Sequence, residues 1–166
     1  VKDKLDLILS GGKVKRYHTR DTIHSQNNAE HSFGVASIVA IISEDCSKDL
    51  LLHALWHDVH ECKTGDIPAP AKWRWPQLKN VLTKIEKELE SQISFMPKIS
   101  DKENSILKMA DCLETIVFCI KEKRFGNTHL DEVISNCQKK IWQINDKFPN
   151  ANAIRLLHDI IGEKTK

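Results

Sequence analysis

The sequence predicts an all-α fold, a compact bundle of about six to seven helices. Two observations carry this. Apolar residues recur with a 3.6-residue period along most of the chain, while alternating β-branched runs are nearly absent. Glycine is also scarce, with 6 in 166 residues. A chain of this length suits a single domain, here expected to span residues 1–166, with a real hydrophobic core.

In chain order, a short helix is expected from Lys4 to Ser10, closed by Gly11-Gly12. Lys13 to about Asn28 shows no apolar period and reads as a long polar loop; such loops tend to be functional, and its segment Arg16-Tyr17-His18-Thr19-Arg20-Asp21 is a candidate substrate contact. Asn27 or Asn28 can cap a helix from Ala29 to about Cys46, with Glu30 in its first turn. That helix is apolar nearly all round, as a central helix of a bundle should be. Ser47 caps the next, Lys48 to about His60, and Gly65, Pro68 and Pro70 forbid its continuation.

A short helical piece is expected after Pro70, then a helix from Gln77 to about Ile93, broken by Pro97. Ser100-Asp101-Lys102-Glu103 is a capping box opening a long helix to Arg124, stopped by Gly126. Thr128 can cap a helix from His129 to Phe148, and a last amphipathic helix covers Ala151 to Gly162. No repeat, low-complexity tract or linker interrupts this bundle.

Composition narrows the function. Apolar content of 40% and charged content of 29% are ordinary for a soluble protein. A formal charge of +2 without a lysine/arginine block argues against nucleic acid as partner. No apolar run approaches the roughly 18–20 residues that span a bilayer, and no signal region follows Val1-Lys2-Asp3-Lys4. Cys46, Cys62, Cys112, Cys119 and Cys137 are odd in number and irregular in spacing, which reads as reduced thiols in a cytoplasmic protein.

The chemistry-bearing stretch is His57-Asp58-Val59-His60-Glu61, after the apolar run Leu50 to Trp56. Ionisable groups against apolar surface are costly unless paired, and a cation would pair with them. His57, Asp58 and Glu61 can overhang one face of a helix end. A carboxylate beside a metal is an arrangement that activates water. An ordinary polar helix end fits the same stretch equally well.

His31, in the first turn of an apolar helix, reads alone as a hydrogen-bonded core histidine. Asp111 stands mid-helix among apolar neighbours, where aspartate is rare unless paired. Lys108, one turn earlier, offers a local partner. Taken together, His31, His57, Asp58 and Asp111 supply two nitrogens and two carboxylates from three helices. That set suits a divalent ion such as Mn, Fe, Co, Mg or Zn, and a closed structural zinc site would more often recruit thiolates. Cys62 is taken as packing.

The series H…HD…D formed by these four residues resembles the HD-domain metal-dependent phosphohydrolases. The likeness extends to Arg16-Tyr17, Ala29-Glu30-His31-Ser32, His57-Asp58-x-x-Glu61, Thr64-Gly65-Asp66-Ile67-Pro68-x-Pro70-x-Lys72 and Lys108-x-Ala110-Asp111. In that order these segments resemble YfbR-type deoxynucleotidases and their small phage-encoded relatives, which include dATP triphosphohydrolases. The resemblance covers roughly residues 13 to 120, and beyond Arg124 the chain matches only as further helix.

The resemblance implies that His31, His57, Asp58 and Asp111 hold the ion. Glu61 would orient or deprotonate the attacking water, and Asp66 would contact the sugar or the water network. Arg16, Lys72 and Lys108 would grip phosphate, which agrees with phosphoryl transfer being mostly positioning and charge neutralisation. Tyr17 stands where family members often have tryptophan packed on the nucleoside, and Pro70 would wall the base pocket. Trp73 and Trp75 could join that wall, or serve as ordinary packing or subunit contacts.

Three potential phosphate partners favour a dATP triphosphohydrolase. A 5'-deoxynucleotidase acting on deoxynucleoside monophosphates is the alternative, and a non-catalytic nucleotide-binding module is the rival of another class. With all four ligand positions and Glu61 present, the enzyme is the expected reading. A small-molecule deoxynucleotide is the expected partner, and a homo-oligomer the expected assembly.

Overall fold

The computed structural model describes residues 1–92 and 96–162, apart from the side chains of residues 70, 73 and 90–92. Among the described residues there is no strand, only an isolated antiparallel bridge between Lys15 and Asn27. The helices are α1 (Lys2–Gly12), α2 (Asn28–Ile42), α3 (Lys48–Trp56), α4 (Glu61–Thr64), α5 (Ala69–Arg74), α6 (Pro76–Gln92), α7 (Asp101–Arg124), α8 (Asp131–Asn145) and α9 (Ala151–Gly162). Two of these, α4 and α5, are short, with 4 and 6 residues; α6 packs chiefly against α5, and α1, α2, α3, α7, α8 and α9 form the helical bundle. No described helix is long and apolar enough to cross a membrane.

α2 and α7 form the centre. Val35, Val39 and Ile42 of α2 pack with Met109, Ala110, Leu113 and Ile116 of α7, joined by Leu50 and Ala54 of α3, Ile141 of α8 and Ala153 and Leu157 of α9. Each of these side chains is almost wholly removed from water, the main favourable term in folding. Phe118, Cys119 and Leu130 make a smaller cluster that receives Tyr17.

The caps explain the entry points. Asn27 accepts from the Glu30 backbone N–H at 2.9 Å while Glu30 accepts from the Asn27 N–H at 3.0 Å, a reciprocal capping box for α2. Ser100 and Glu103 do the same for α7, and Ser47 caps α3.

Several boundaries differ from expectation for identifiable reasons. α1 runs through Gly11 and Gly12 instead of stopping before them. A Cβ on Gly11 would lie 2.8 Å from the Val59 Cα, so this glycine allows a close approach of α1 to the 57–60 segment. α2 ends at Ile42, short of Cys46. Thr128 does not cap α8, which begins at Asp131. Asn127 instead accepts from the His129 backbone N–H. α8 ends at Asn145, and Asn150 bonds back to Asn145 and forward to Ala153, opening α9. Ile93, the expected end of α6, lies outside the described residues.

The boundary that matters most is the end of α3. It stops at Trp56, so His57 and Asp58 sit in a run of turns and not on a continuous helix. The His57 Nδ1 engages the Ala54 carbonyl at 2.8 Å. The backbone tightens to i→i−3 bonds, Val59 N–H to Trp56 O and Glu61 N–H to Asp58 O. Helix resumes as α4 at Glu61.

Candidate metal and nucleotide site

The site gathers at the junction of α2, the turn after α3, and α7. His31 in the first turn of α2 has no solvent exposure. Its imidazole lies between two α7 carboxylates three residues apart, which share a helix face. Nε2 approaches Asp111 Oδ1 at 3.3 Å, and Nδ1 makes a short contact with Glu114 Oε2. The other Glu114 oxygen accepts from Gln26 Nε2 at 2.7 Å. Room for Glu114 comes from Gly34, where a Cβ would meet the Glu114 Cγ at 2.7 Å.

Asp58 brings the turn to the same point. Its Oδ2 is 3.3 Å from His57 Nε2, 3.8 Å from His31 Nε2 and 3.3 Å from the Arg16 guanidinium. Potential ligand atoms of His31, His57 and Asp58 all lie within 4.8 Å of one another. Both Nε2 atoms are buried without a hydrogen-bond partner. The other nitrogen of each ring already faces an acceptor, Glu114 or the Ala54 carbonyl. A carboxylate or carbonyl at Nδ1 fixes the tautomer that leaves Nε2 as a lone-pair donor. Two unpartnered imidazole nitrogens converging on carboxylates fit a divalent cation of the harder, mixed-ligand kind.

Electrostatics agree. Burial works against a charge on His31, yet Asp111 and Glu114 push its pKa up to about 9, so in the ion-free protein these carboxylates favour a proton on the ring, which a metal ion would displace on binding. Burial opposes ionisation of Asp58 and Asp111 as well. The histidines and Arg16 act against it for Asp58, and contact with His31 for Asp111, and hold both carboxyls below their usual range.

Glu61 opens α4 with 5% exposure. One oxygen accepts from Asn28 Nδ2 at 2.7 Å. Burial, then the neighbouring Asp58, push its carboxyl up to about 8, against the opposing Asn28 hydrogen bond. A group titrating there can exchange a proton near neutral pH. Gly65, at φ 70°, turns the chain out of α4 and leads to Asp66.

Asp58, Glu61 and Asp111 open into a cavity of about 480 Å³, whose lining does not include His31 or His57. Arg16, Tyr17, Asp58, Glu61, Asp66, Lys72 and Asp111 line it, so the structure brings these expected site residues together. Lys108 is exposed on α7 and is not among the lining residues. Pro70 lies in the first turn of α5, with its side chain outside the described residues, as is that of Trp73. Trp75 is exposed and does not line the cavity.

Tyr17 is the described non-glycine residue with positive φ, at 55°. At this residue the Tyr17 ring stacks on Phe118, with ring centroids 4.6 Å apart and an 11° interplanar angle, while the Arg16 guanidinium reaches Asp58 and lies 5.8 Å from the Tyr17 ring centroid. One face of Tyr17 is therefore already stacked within the protein.

Glu114, Gln26, Asn28 and Lys140 are site residues to which sequence reasoning assigned no role in the site, whereas Arg20 belongs to the polar segment expected to contact substrate. Glu114 carried the signal that marked Asp111, a carboxylate among apolar neighbours on the same helix. Arg20 and Lys140 line the cavity from the long loop and from α8.

Residues 12–155 match the YfbR-like 5'-deoxynucleotidase family. A 5'-deoxynucleotidase of Yersinia pestis (strain Pestoides F) is 26% identical over 152 residues, covering 77% of each chain. Among solved structures, an HD-domain phosphohydrolase from Listeria innocua superposes with a TM-score of 0.79 at 21% identity, covering 99% of this chain and 90% of that one. The HD phosphohydrolase DatZ of cyanophage S-2L, solved with dA and one catalytic Zn2+ ion, gives a TM-score of 0.65 at 21% identity, covering 95% and 94%. At these identities the structural likeness concerns the fold.

Proposed function

The chain belongs to the YfbR-like 5'-deoxynucleotidase family of HD-type phosphohydrolases, and on that premise we propose that it releases phosphate from 2'-deoxynucleoside 5'-phosphates with a divalent metal ion. The observation that carries this reading is the pair of buried, unpartnered Nε2 atoms of His31 and His57, which converge with Asp58 beside a cavity lined by both carboxylates and cations. His31, His57, Asp58 and Asp111 would hold the ion. When bound, such an ion polarises phosphoryl oxygens and makes water more acidic.

The chain's own groups supply the rest. Arg16, facing Asp58, neutralises charge on the phosphoryl oxygens. Glu61, with one oxygen held by Asn28, takes the proton from the attacking water. The new P–O bond forms as the bond to the 5'-oxygen breaks, and that oxygen leaves with the proton that Glu61 took from the water. Asp66 borders the sugar, and Lys72 borders the phosphate.

A second reading, hydrolysis of dATP to deoxyadenosine and triphosphate, is favoured by a specific observation. Arg20, Lys72, Lys79 and Lys140 line the same cavity in addition to Arg16, more cations than one phosphate requires. Incubation with dAMP and with dATP, separating orthophosphate from tripolyphosphate, distinguishes the two. Turnover of neither, with Mn, Co, Zn, Mg and Fe each supplied, overturns both.

Self-association belongs to the same reading. Phe33 and Ile41 stand exposed on α2, at 71% and 63%, and sedimentation velocity tests whether copies of the chain cover them.

A further inference from the structure

α7 carries a second buried carboxylate that the hydrolytic chemistry does not use. Glu122 has no solvent exposure. It accepts from the Ile23 backbone N–H at 2.6 Å, the His24 backbone N–H at 2.8 Å and Asn127 Nδ2 at 3.0 Å, and engages His24 Nδ1 at 2.8 Å. Asn127 Nδ2 also donates to the Asp21 carbonyl at 2.9 Å. Three of the four contacts on the carboxylate come from Ile23 and His24, in the second half of the long loop. The two ends of the loop are tied separately, to each other, by Arg16 N–H to Gln26 O and Asn28 N–H to Val14 O.

Between these anchors lie Tyr17, His18, Thr19 and Arg20, all on the cavity wall. Tyr17 stacks on Phe118, one turn before Glu122 on the same α7 face. A buried carboxylate is costly unless fully hydrogen-bonded, and an apolar side chain would cover this face of α7 more cheaply. What the carboxylate adds is directional hold on a segment that has no regular structure of its own.

We infer that Glu122 is a positioning residue, which clamps residues 21–24 and thereby sets the cavity wall formed by residues 17–20 against the nucleotide. This rests on the proposed nucleotide hydrolysis for its kinetic consequence, though not for its structural one. The metal ligands and Glu61 stand on other elements, and the loop's own links to them, Arg16 on Asp58 and Gln26 on Glu114, sit at its base, where the Lys15–Asn27 bridge holds them independently of Glu122. Loosening the clamp therefore weakens nucleotide binding and leaves the chemical step alone.

The test uses the full chain with metal supplied, comparing wild type with Glu122→Gln, which places an N–H₂ group among donors. KM for the deoxynucleotide is expected to rise about tenfold with kcat within about twofold, the scale of one lost charge-assisted hydrogen bond. Tyr17 is the single tyrosine of the chain, so selective labelling gives one set of ring resonances that reports on the wall directly, and these are expected to shift. Where Glu122→Gln does not fold, Asn127→Ala cuts the tie to Asp21 and is expected to raise KM about threefold with the same resonance shift.

Unchanged KM with unmoved Tyr17 resonances overturns the inference, as does a fall in kcat at constant KM. If wild type hydrolyses no deoxynucleotide, the proposed function fails by itself. The Tyr17 resonances then decide the clamp, a shift supporting it and no shift overturning it.

Discussion

His31 and Glu114 are joined in the protein interior through the imidazole Nδ1 and a carboxylate oxygen, and the other Glu114 oxygen is held by Gln26. This arrangement points the His31 Nε2 toward Asp58 and Asp111. Loss of such an orienting carboxylate typically lowers metal affinity about 10–100-fold. Glu114→Gln is expected to do so while leaving the helical content intact. Gly34→Ala, whose Cβ would meet the Glu114 Cγ at 2.7 Å, should reproduce the defect. Metal titration by calorimetry checks both, and wild-type affinity in Glu114→Gln would remove the orienting role.

Glu61 is the expected proton acceptor. Replacement by Gln should lower kcat about 10²–10⁴-fold while nucleotide binding survives. The carboxyl must be ionised to accept a proton, so kcat/KM rises as pH passes upward through its pKa. Burial and Asp58 push that value up to about 8, and a neighbouring cation draws it down. The acid limb of the profile should therefore have its midpoint below 8, and residual activity in Glu61→Gln should lack it. A pH profile measured on both proteins decides the matter.

Stability in acid should report Glu122. Burial raises its carboxyl pKa, but its hydrogen bonds from Asn127, Ile23 and His24 prevail and hold it at about 2, against an ordinary 4.5. A depressed carboxyl stabilises the folded state fully above the unfolded value, and that contribution fades as pH falls toward the folded value. Glu122→Gln should thus cost on the order of 1–2 kcal/mol at neutral pH, with the difference from wild type shrinking below about pH 4. Urea unfolding at several pH values measures this, and a pH-independent difference would count against it.

Gly11→Ala tests the contact between α1 and the ligand-bearing turn. The added Cβ would lie 2.8 Å from the Val59 Cα and 2.9 Å from its carbonyl oxygen, both backbone atoms that cannot rotate away. A destabilisation of about 1–3 kcal/mol is expected from such overpacking. Gly12→Ala, whose nearest contact is the Ala29 Cβ at 3.1 Å, should be milder. Thermal melts of the two variants side by side provide the check, and equal melting temperatures would contradict the close approach.

Chelation is expected to abolish activity and lower the melting temperature, with both restored by added metal. At about 100-fold excess over Kd, a ligand that binds only the folded state contributes about 2.7 kcal/mol. Differential scanning fluorimetry with and without each ion reads that stabilisation apart from catalysis.

The sequence by itself determined the helical architecture, because apolar periodicity and caps are local. The pairs Asn27/Glu30 and Ser100/Glu103 sit where their spacing required. It also determined which residue types could hold an ion, since carboxylates and histidines among apolar neighbours need a partner whatever the fold. Glu114 bore that same mark, while Glu122, within the charged run Lys121–Arg124, bore none, and nothing local tells a ligand from a residue that orients one. Only the tertiary structure decided this, by setting Glu114 behind His31 and Glu122 beneath the loop. It also broke α3 at Trp56, where the His57 side chain takes up the Ala54 carbonyl, and it left Lys108 outside the cavity while Arg20 and Lys140 line it. These outcomes depend on how helices distant in sequence pack together, and packing distances are not written in any one stretch of the chain.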